Sequence, residues 1–277
     1  MPARARAWPA ALPRQVLLAA IAVICLEPVV FVLLTSLKSP DEYAVNRAGW
    51  PARPTLANYV EALAELPTLR WALNSALVTG ASVLIALVLA ALAAYAITFG
   101  EFHGRSLLLG ASVGLIMVPP VVLVLPLFVV MVNLGLINNL LSLVILYACL
   151  LVPFSVFFLC NFFRTIPPEL TEAGAIDGAG PIQLLWRIVL PLSRPAMLTL
   201  AVVNGVWAWN ELLIALVFVQ DEGRRTLMAG LSLLQGRYST DQPLVLAVAS
   251  LSMLPVAVFY LFSQRSFVRG LTAGIGR

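Results

Sequence analysis

The chain has 277 residues, 61% of them hydrophobic and 11% charged, with a mean hydropathy of +0.97. A soluble domain of this length cannot bury so much apolar surface, so composition excludes an ordinary soluble enzyme or binding module and points to an all-α polytopic membrane protein. The net charge of +4 is scattered among apolar runs instead of gathered on one face, which argues against a nucleic-acid partner and for membrane orientation.

In chain order, the basic start MPARARAWPAALPR leads into an apolar run longer than a signal-peptide core and without a small-x-small cleavage site, so it reads as a retained first span. Six stretches hold the roughly 18 to 25 apolar residues that a helix rising about 1.5 Å per residue needs to cross about 30 Å of hydrocarbon. They are 15–37, 71–99, 106–132, 140–163, 196–219 and 244–263, in one transmembrane domain over 1–277. Pro119, Pro120 and Pro126 predict a kink in the third near mid-membrane. The connector 38–70 is punctuated by prolines and carries Trp50, Tyr59 and Trp71 as interfacial anchors. In the connector 220–243, Leu227, Leu231 and Leu234 recur at helical spacing, as in a short amphipathic helix. Near the span ends, ten Lys and Arg fall on the side of the termini against seven opposite, which predicts that both termini are cytoplasmic.

That orientation puts the longest polar interruption, 164–195, in the cytoplasm. Pro167 and Pro168 fit a first helical turn, and Glu169 and Glu172 lie towards its positive end. Gly178 and Gly180 offer exits, Pro181 opens a second short helix, and Pro191 ends it. Asp177 opposes the dipole at the end of the first helix, so its carboxylate is expected to cap the turn by accepting from the amides around Ala179 and Gly180. Gly178 would supply a positive φ there. The pattern reads as a rigid platform at the membrane surface, although an ordinary surface helix-turn-helix would carry the same signals.

Catalytic chemistry is not legible. The one lysine, Lys38 in TSLKSP, cannot belong to a GxxxxGK[ST] phosphate loop, and no nucleophile elbow or metal-ligand spacing occurs. Cys25, Cys149 and Cys160 lie in apolar runs without close pairing, and His103 reads as a solvated turn residue. The expectation is therefore no catalytic residue, no metal and no cofactor on this chain. Two acids fall inside spans, Glu27 before Pro28 and Glu211 beside Asn210. Each costs a few kcal/mol at membrane depth unless paired or hydrated. Glu27, Asn210 and Glu211 are candidates for a polar pathway or gate; the other reading has the two acids neutral or hydrogen-bonded to a neighbouring helix.

The segment from Glu172 to Ala179, EAGAIDGA, followed by Gly180 and Pro181, resembles the EAA loop of binding-protein-dependent ABC importer permeases. AAYA at Ala93 to Ala96, FFRTIPPEL, WRIVLPLSRP, AWNE at Ala208 to Glu211 and QRSFVRGLTAG extend the likeness to the carbohydrate-uptake permeases of the maltose-importer class, the shorter six-span partner. The resemblance implies a multi-pass subunit of a prokaryotic cytoplasmic membrane, in a heterodimer with a second permease. Two cytoplasmic ATPase subunits would hold ATP and Mg, and an extracytoplasmic solute-binding protein would deliver sugar. It further implies ATPase coupling through Glu172, Ala173, Gly174, Asp177, Gly178 and Ala179, and contact with the binding protein through Gln235, Gly236 and Tyr238. The tail from Gly270 to Gly274 would approach the ATPase interface. Gly174 departs from the usual second alanine, at about 1 kcal/mol of helix stability, so a slightly looser platform is expected. Polyols or glycerophosphodiesters are alternative solutes, and a proton-coupled secondary transporter with Glu27 and Glu211 as carriers is the alternative mechanism.

Overall fold

A computed structural model describes residues 11–237 and 241–272, and these are helical with no strand among them. The helices are α1 (Ala11–Ser36), α2 (Pro40–Val45), α3 (Ala57–Ala64), α4 (Thr68–Phe99), α5 (Arg105–Ile116), α6 (Pro120–Asn133) and α7 (Leu140–Phe163). Then come α8 (Pro168–Ile176), α9 (Pro181–Leu184), α10 (Leu190–Leu192), α11 (Arg194–Asn210), α12 (Leu213–Phe218), α13 (Leu227–Arg237) and α14 (Gln242–Thr272). A π-helical turn, Leu185–Val189, joins α9 to α10.

By length and apolarity α1, α4 and α7 can each cross a membrane, and two bent helix pairs raise the number to as many as five. The expected sixth span falls within α14 (Gln242–Thr272). The third expected span is sharply turned where a kink was expected: α5 and α6 meet at 102°. Pro119 holds an extended conformation (φ −61°, ψ 129°) and Pro120 restarts the helix at its first position, while Pro126 is carried inside α6. The fifth expected span is also discontinuous. It leaves the helix at Glu211, which is extended (φ −67°, ψ 123°), and resumes as α12.

The chain divides into two compact units, one formed by residues up to Leu66 with Leu231–Leu251, the other by Pro67–Gly230 and the residues from Ser252 on. In the first, α1 is exposed from Pro13 to Val30, and the connector after it is tied down by its own polar groups. Lys38 is fully buried, and its Nζ donates to the carbonyls of Asn46 (2.8 Å) and Arg47 (3.2 Å). Asn58 Nδ2 donates to the carbonyls of Ser36 and Lys38, and the Tyr59 hydroxyl bonds to Ser36 Oγ and Ser250 Oγ. Tyr59 is thus an internal bracket instead of an interfacial anchor, whereas Trp50 is exposed as an anchor would be.

The second unit is built on α4 and α7. Small residues on one face of α4, Ala86, Ala90, Ala91 and Ala94, are buried and let α7 approach closely. Around them Val156, Leu159, Cys160 and Phe163 of α7 form one core with Ile97, Leu185, Val189, Ala196 and Leu200. A second cluster, with Val78, Leu143, Tyr147, Ile214 and Phe218, fills the other end of the unit. Asn204 Nδ2 donates to Ser155 Oγ at 2.9 Å, joining α11 to α7 inside the core.

At that second end the backbone of 220–227 is held by side chains from elsewhere. Trp71 Nε1 donates to the Glu222 carbonyl at 2.7 Å, Asn74 Nδ2 to those of Gly223 and Arg225, and Ser75 Oγ accepts from Leu227 N–H. Asn138, at φ 59°, accepts from the amides of Gln220 and Asp221. Trp71 is 2% exposed, so it belongs to the core and not to a membrane interface. The expected helix is present as α13, with Leu227, Leu231 and Leu234 buried. A Cβ at Gly230 would lie 2.2 Å from the Trp71 ring, whereas one at Gly236 would meet nothing within 4 Å. Gly230→Ala is therefore expected to cost about 1–3 kcal/mol through overpacking. Thermal unfolding in detergent should show a lowered Tm for Gly230→Ala and none of that loss for Gly236→Ala.

Candidate functional site

The candidate site is the segment between α7 and α11. Phe163, the last residue of α7, and Ile166 are buried, which fixes where the chain leaves the core. Pro167 is extended (φ −57°, ψ 128°) and Pro168 takes the first helical position, where its missing N–H costs no helical bond. The nine residues of α8 contain no buried side chain, and Glu169, Leu170, Glu172, Ala173 and Ile176 are exposed. Ile176 is 86% exposed, a large apolar side chain at the tip with no cover from its own chain.

The turn after α8 is closed by backbone. The Ala179 N–H donates to the Gly174 carbonyl and the Gly178 N–H to the Ala175 carbonyl, each at 3.0 Å, with Gly178 at φ +85°. This is the Schellman arrangement, which satisfies the helix's last carbonyls and favours glycine at the left-handed position. The carboxylate of Asp177 is exposed and has no role in closing the turn, contrary to the expected cap. The amides it was expected to hold already have acceptors: Ala179 uses Gly174, and Gly180 N–H donates to Gln183 Oε1 at 3.3 Å.

Gly174 also differs from expectation. A Cβ there would stand 2.7 Å from Ile188 Cδ1 and from Leu184 Cδ2, so the glycine brings α8 against the next helix where a looser platform was expected. That next helix runs from Pro181 to Leu192. Pro191 lacks the N–H that would reach back to Arg187, and the π-helical turn beside it absorbs the mismatch, so the helix continues one residue past the proline. It then meets α11 at 78°. Leu184, Leu185 and Val189 are buried, the last two in the core cluster with Ala94, Ile97 and Phe163. The segment thus has an exposed tip and a root embedded among the spans.

Around the α11 to α12 break, Glu211 has partners that its sequence context did not reveal. Its carboxylate accepts from the Tyr147 hydroxyl at 2.7 Å and from the amides of Ile214 and Ala215 at 3.0 and 3.1 Å. It therefore caps α12 while tying it to α7, and Tyr147 packs edge-on to Trp207. Asn210 is exposed and returns its Nδ2 to the Val206 carbonyl. Glu27 is exposed on α1. Gln235 and Gly236 are exposed on the last turn of α13; Tyr238 lies outside the described residues, as do Ala273 and Gly274 of the tail. Among the described residues no group of three or more His, Cys, Asp or Glu side chains is placed to hold a metal ion.

Residues 86–272 match the family described as binding-protein-dependent transport system inner membrane component. The chain is 36% identical over 248 residues to the sulfoquinovosyl glycerol transport system permease protein of Agrobacterium fabrum, covering 89% of this chain and 87% of that protein. It is 35% identical over 257 residues to the trehalose/maltose transport system permease protein of Thermococcus litoralis, covering 91% and 92%. Against the melibiose/raffinose/stachyose import permease protein of Bacillus subtilis it is 31% identical over 248 residues, covering 89% and 90%. Among solved structures it shares the fold of a chain from a bacterial ABC transporter involved in alginate import, with a TM-score of 0.81 at 23% identity, over 96% of this chain and all of that one.

The hydrogen bonds separate two acids that look alike in sequence. Asp177→Asn is expected to leave the unfolding free energy unchanged within about 0.5 kcal/mol, as for a surface substitution. Glu211→Ala removes a cap and leaves a buried tyrosine hydroxyl unpaired, so it should cost about 1–3 kcal/mol. Denaturation of the two purified variants side by side checks both.

Proposed function

The chain belongs to the binding-protein-dependent transport system inner membrane components, and from that membership we propose that it is the permease subunit of an ATP-driven sugar importer. The observation that carries the mechanistic part is the platform: α8 offers an uncovered surface, closed by a backbone turn, on a root buried among α4, α7 and α11. A partner that gripped α8 could move those helices with it. In this reading the platform is the coupling helix, contacted by one of two ATPase subunits through the surface around Glu172, Ala173, Asp177 and Gly178. A second permease completes the pathway, and both termini lie in the cytoplasm. A solute-binding protein would dock from outside the cytoplasm, with Gln235 and Gly236, both exposed, among its contacts.

Sugar is supported as the cargo by the relatives, whose names specify a sulfoquinovosyl glycerol, trehalose/maltose and melibiose/raffinose/stachyose. ATP and Mg would bind the partner subunits. A proton-carrier role for Glu211 is disfavoured because its carboxylate is engaged as a helix cap. Coupling of a few kcal/mol between nucleotide state and pathway state is the ordinary scale of linkage, and a docked helix of nine residues can supply it.

Gly178→Val places a β-branched residue at φ +85° and breaks the turn geometry with the spans left intact. With partner ATPases and binding protein present, insertion and assembly should be retained while sugar uptake falls roughly tenfold or more, about 1.4 kcal/mol of lost coupling. Normal uptake by this variant in proteoliposomes would contradict the coupling role of the platform.

A further inference from the structure

A recess of about 600 Å³ opens between the end of α4, the first half of α5 and the end of α7. Arg105, the first residue of α5, and Arg164, just past α7, stand at its mouth, and both are exposed. Among the described residues neither has an acid within ion-pairing distance, and Arg105 makes only a long bond, 3.4 Å, to the Gly100 carbonyl. Gly104 precedes α5 at φ 100° and provides no side-chain cap, so the first-turn amides at the recess have no side-chain acceptor; the Ser106 hydroxyl lies beside them. Two unpaired guanidinium groups, uncapped helix amides and a hydroxyl make a donor set for a phosphate group.

Apart from Thr98, the rest of the recess is apolar. Ile97, Leu109 and Val113 line it, and Gly110 leaves a gap in the wall where a Cβ would meet nothing within 4 Å. A soluble phosphate has no use for that wall, whereas a lipid has both a charged head and a hydrocarbon tail, and this site lies where spanning helices end. Basic recesses between transmembrane helices at the inner surface recognise anionic headgroups in this way. We propose that the recess formed by Arg105, Arg164, Ser106, Leu109 and Gly110 is a binding site for one anionic phospholipid, with the phosphate held by the two arginines and an acyl chain lying past Gly110. The proposal requires that the chain span a membrane, and does not depend on the identity of the cargo.

The test uses the full-length chain purified with its partner subunits and incubated in mixed phosphatidylcholine and phosphatidylglycerol micelles, with retained lipid counted by native mass spectrometry. The wild-type chain should retain one phosphatidylglycerol in preference to phosphatidylcholine. Arg105→Gln with Arg164→Gln should lower that retention roughly tenfold or more. Gly110→Leu, which keeps both charges and fills the slot with a good helix former, should lower it as well. Arg187→Gln with Arg194→Gln, a pair outside the recess, should not. Equal loss in that control pair would reduce the effect to general surface charge and overturn the site. Displacement of the lipid by millimolar inorganic phosphate, with Gly110→Leu inert, would make it a soluble-anion site and overturn the lipid assignment. Unchanged lipid retention with loss of the ATPase subunits from the arginine variants would make it a protein contact, again overturning the proposal.

Discussion

The close packing against the alanine face of α4 is the contact on which the rest of the second unit depends. Ala86, Ala90, Ala91 and Ala94 bring the α4 backbone near its neighbours, and the space they leave is filled by α7 and by the root of the 181–192 helix. Within hydrocarbon there is little hydrophobic gain in choosing a neighbouring helix over lipid, so such contacts rest on van der Waals fit and a few interhelical hydrogen bonds. Asn204 to Ser155 and Tyr147 to Glu211 are two of these bonds. Both join segments of the broken fifth stretch to α7. The breaks therefore do not leave loose ends, because each fragment is fastened to the same central helix.

This arrangement explains why a nine-residue helix could serve as a lever. Nothing on α8 is buried, so its own stability comes from its ends: Pro168 at the first position and the backbone-closed turn at Gly178. Its connection to the molecule is the Leu184, Leu185 and Val189 root, which lies in or beside the core shared by α4, α7 and α11. Packed cores shift between discrete arrangements more readily than they deform, so in the proposed coupling a pull on the tip would be passed to the helices as a displacement of the root. Gly174, where a Cβ would collide with Leu184 and Ile188, lets α8 lie directly against that root helix.

The helical class, the placement of α8 and the position of α13 were legible because proline, glycine and leucine spacing are local signals. Pro119 and Pro120 announced a break, but not its 102° angle, since neighbouring packing sets how far two fragments turn. The interruption at Glu211 carried no proline or glycine to mark it; it depends on Tyr147, 64 positions away, and on amides that become free only when the helix stops. Asp177 misled for a related reason. Its charge suggested a cap, yet the glycine after it allowed the backbone to close the turn alone. Trp71 looked like an interfacial anchor until the 220–227 backbone and Gly230 were placed over its ring. Asn138 tolerates a positive φ, and that tolerance at a turn between two apolar stretches was the available hint of its bracing role.

The central claim is that α8 and the helices beneath it move as one body. Spin labels at the exposed positions Ile176, on the tip of α8, and Leu92, on α4, would measure it directly in the assembled complex by pulsed electron paramagnetic resonance. The account predicts the same distance distribution between the two labels in the nucleotide-free and ATP-bound states. A shift of about 5 Å or more, the scale of one helical turn, would show that the platform slides over its root and would contradict the account.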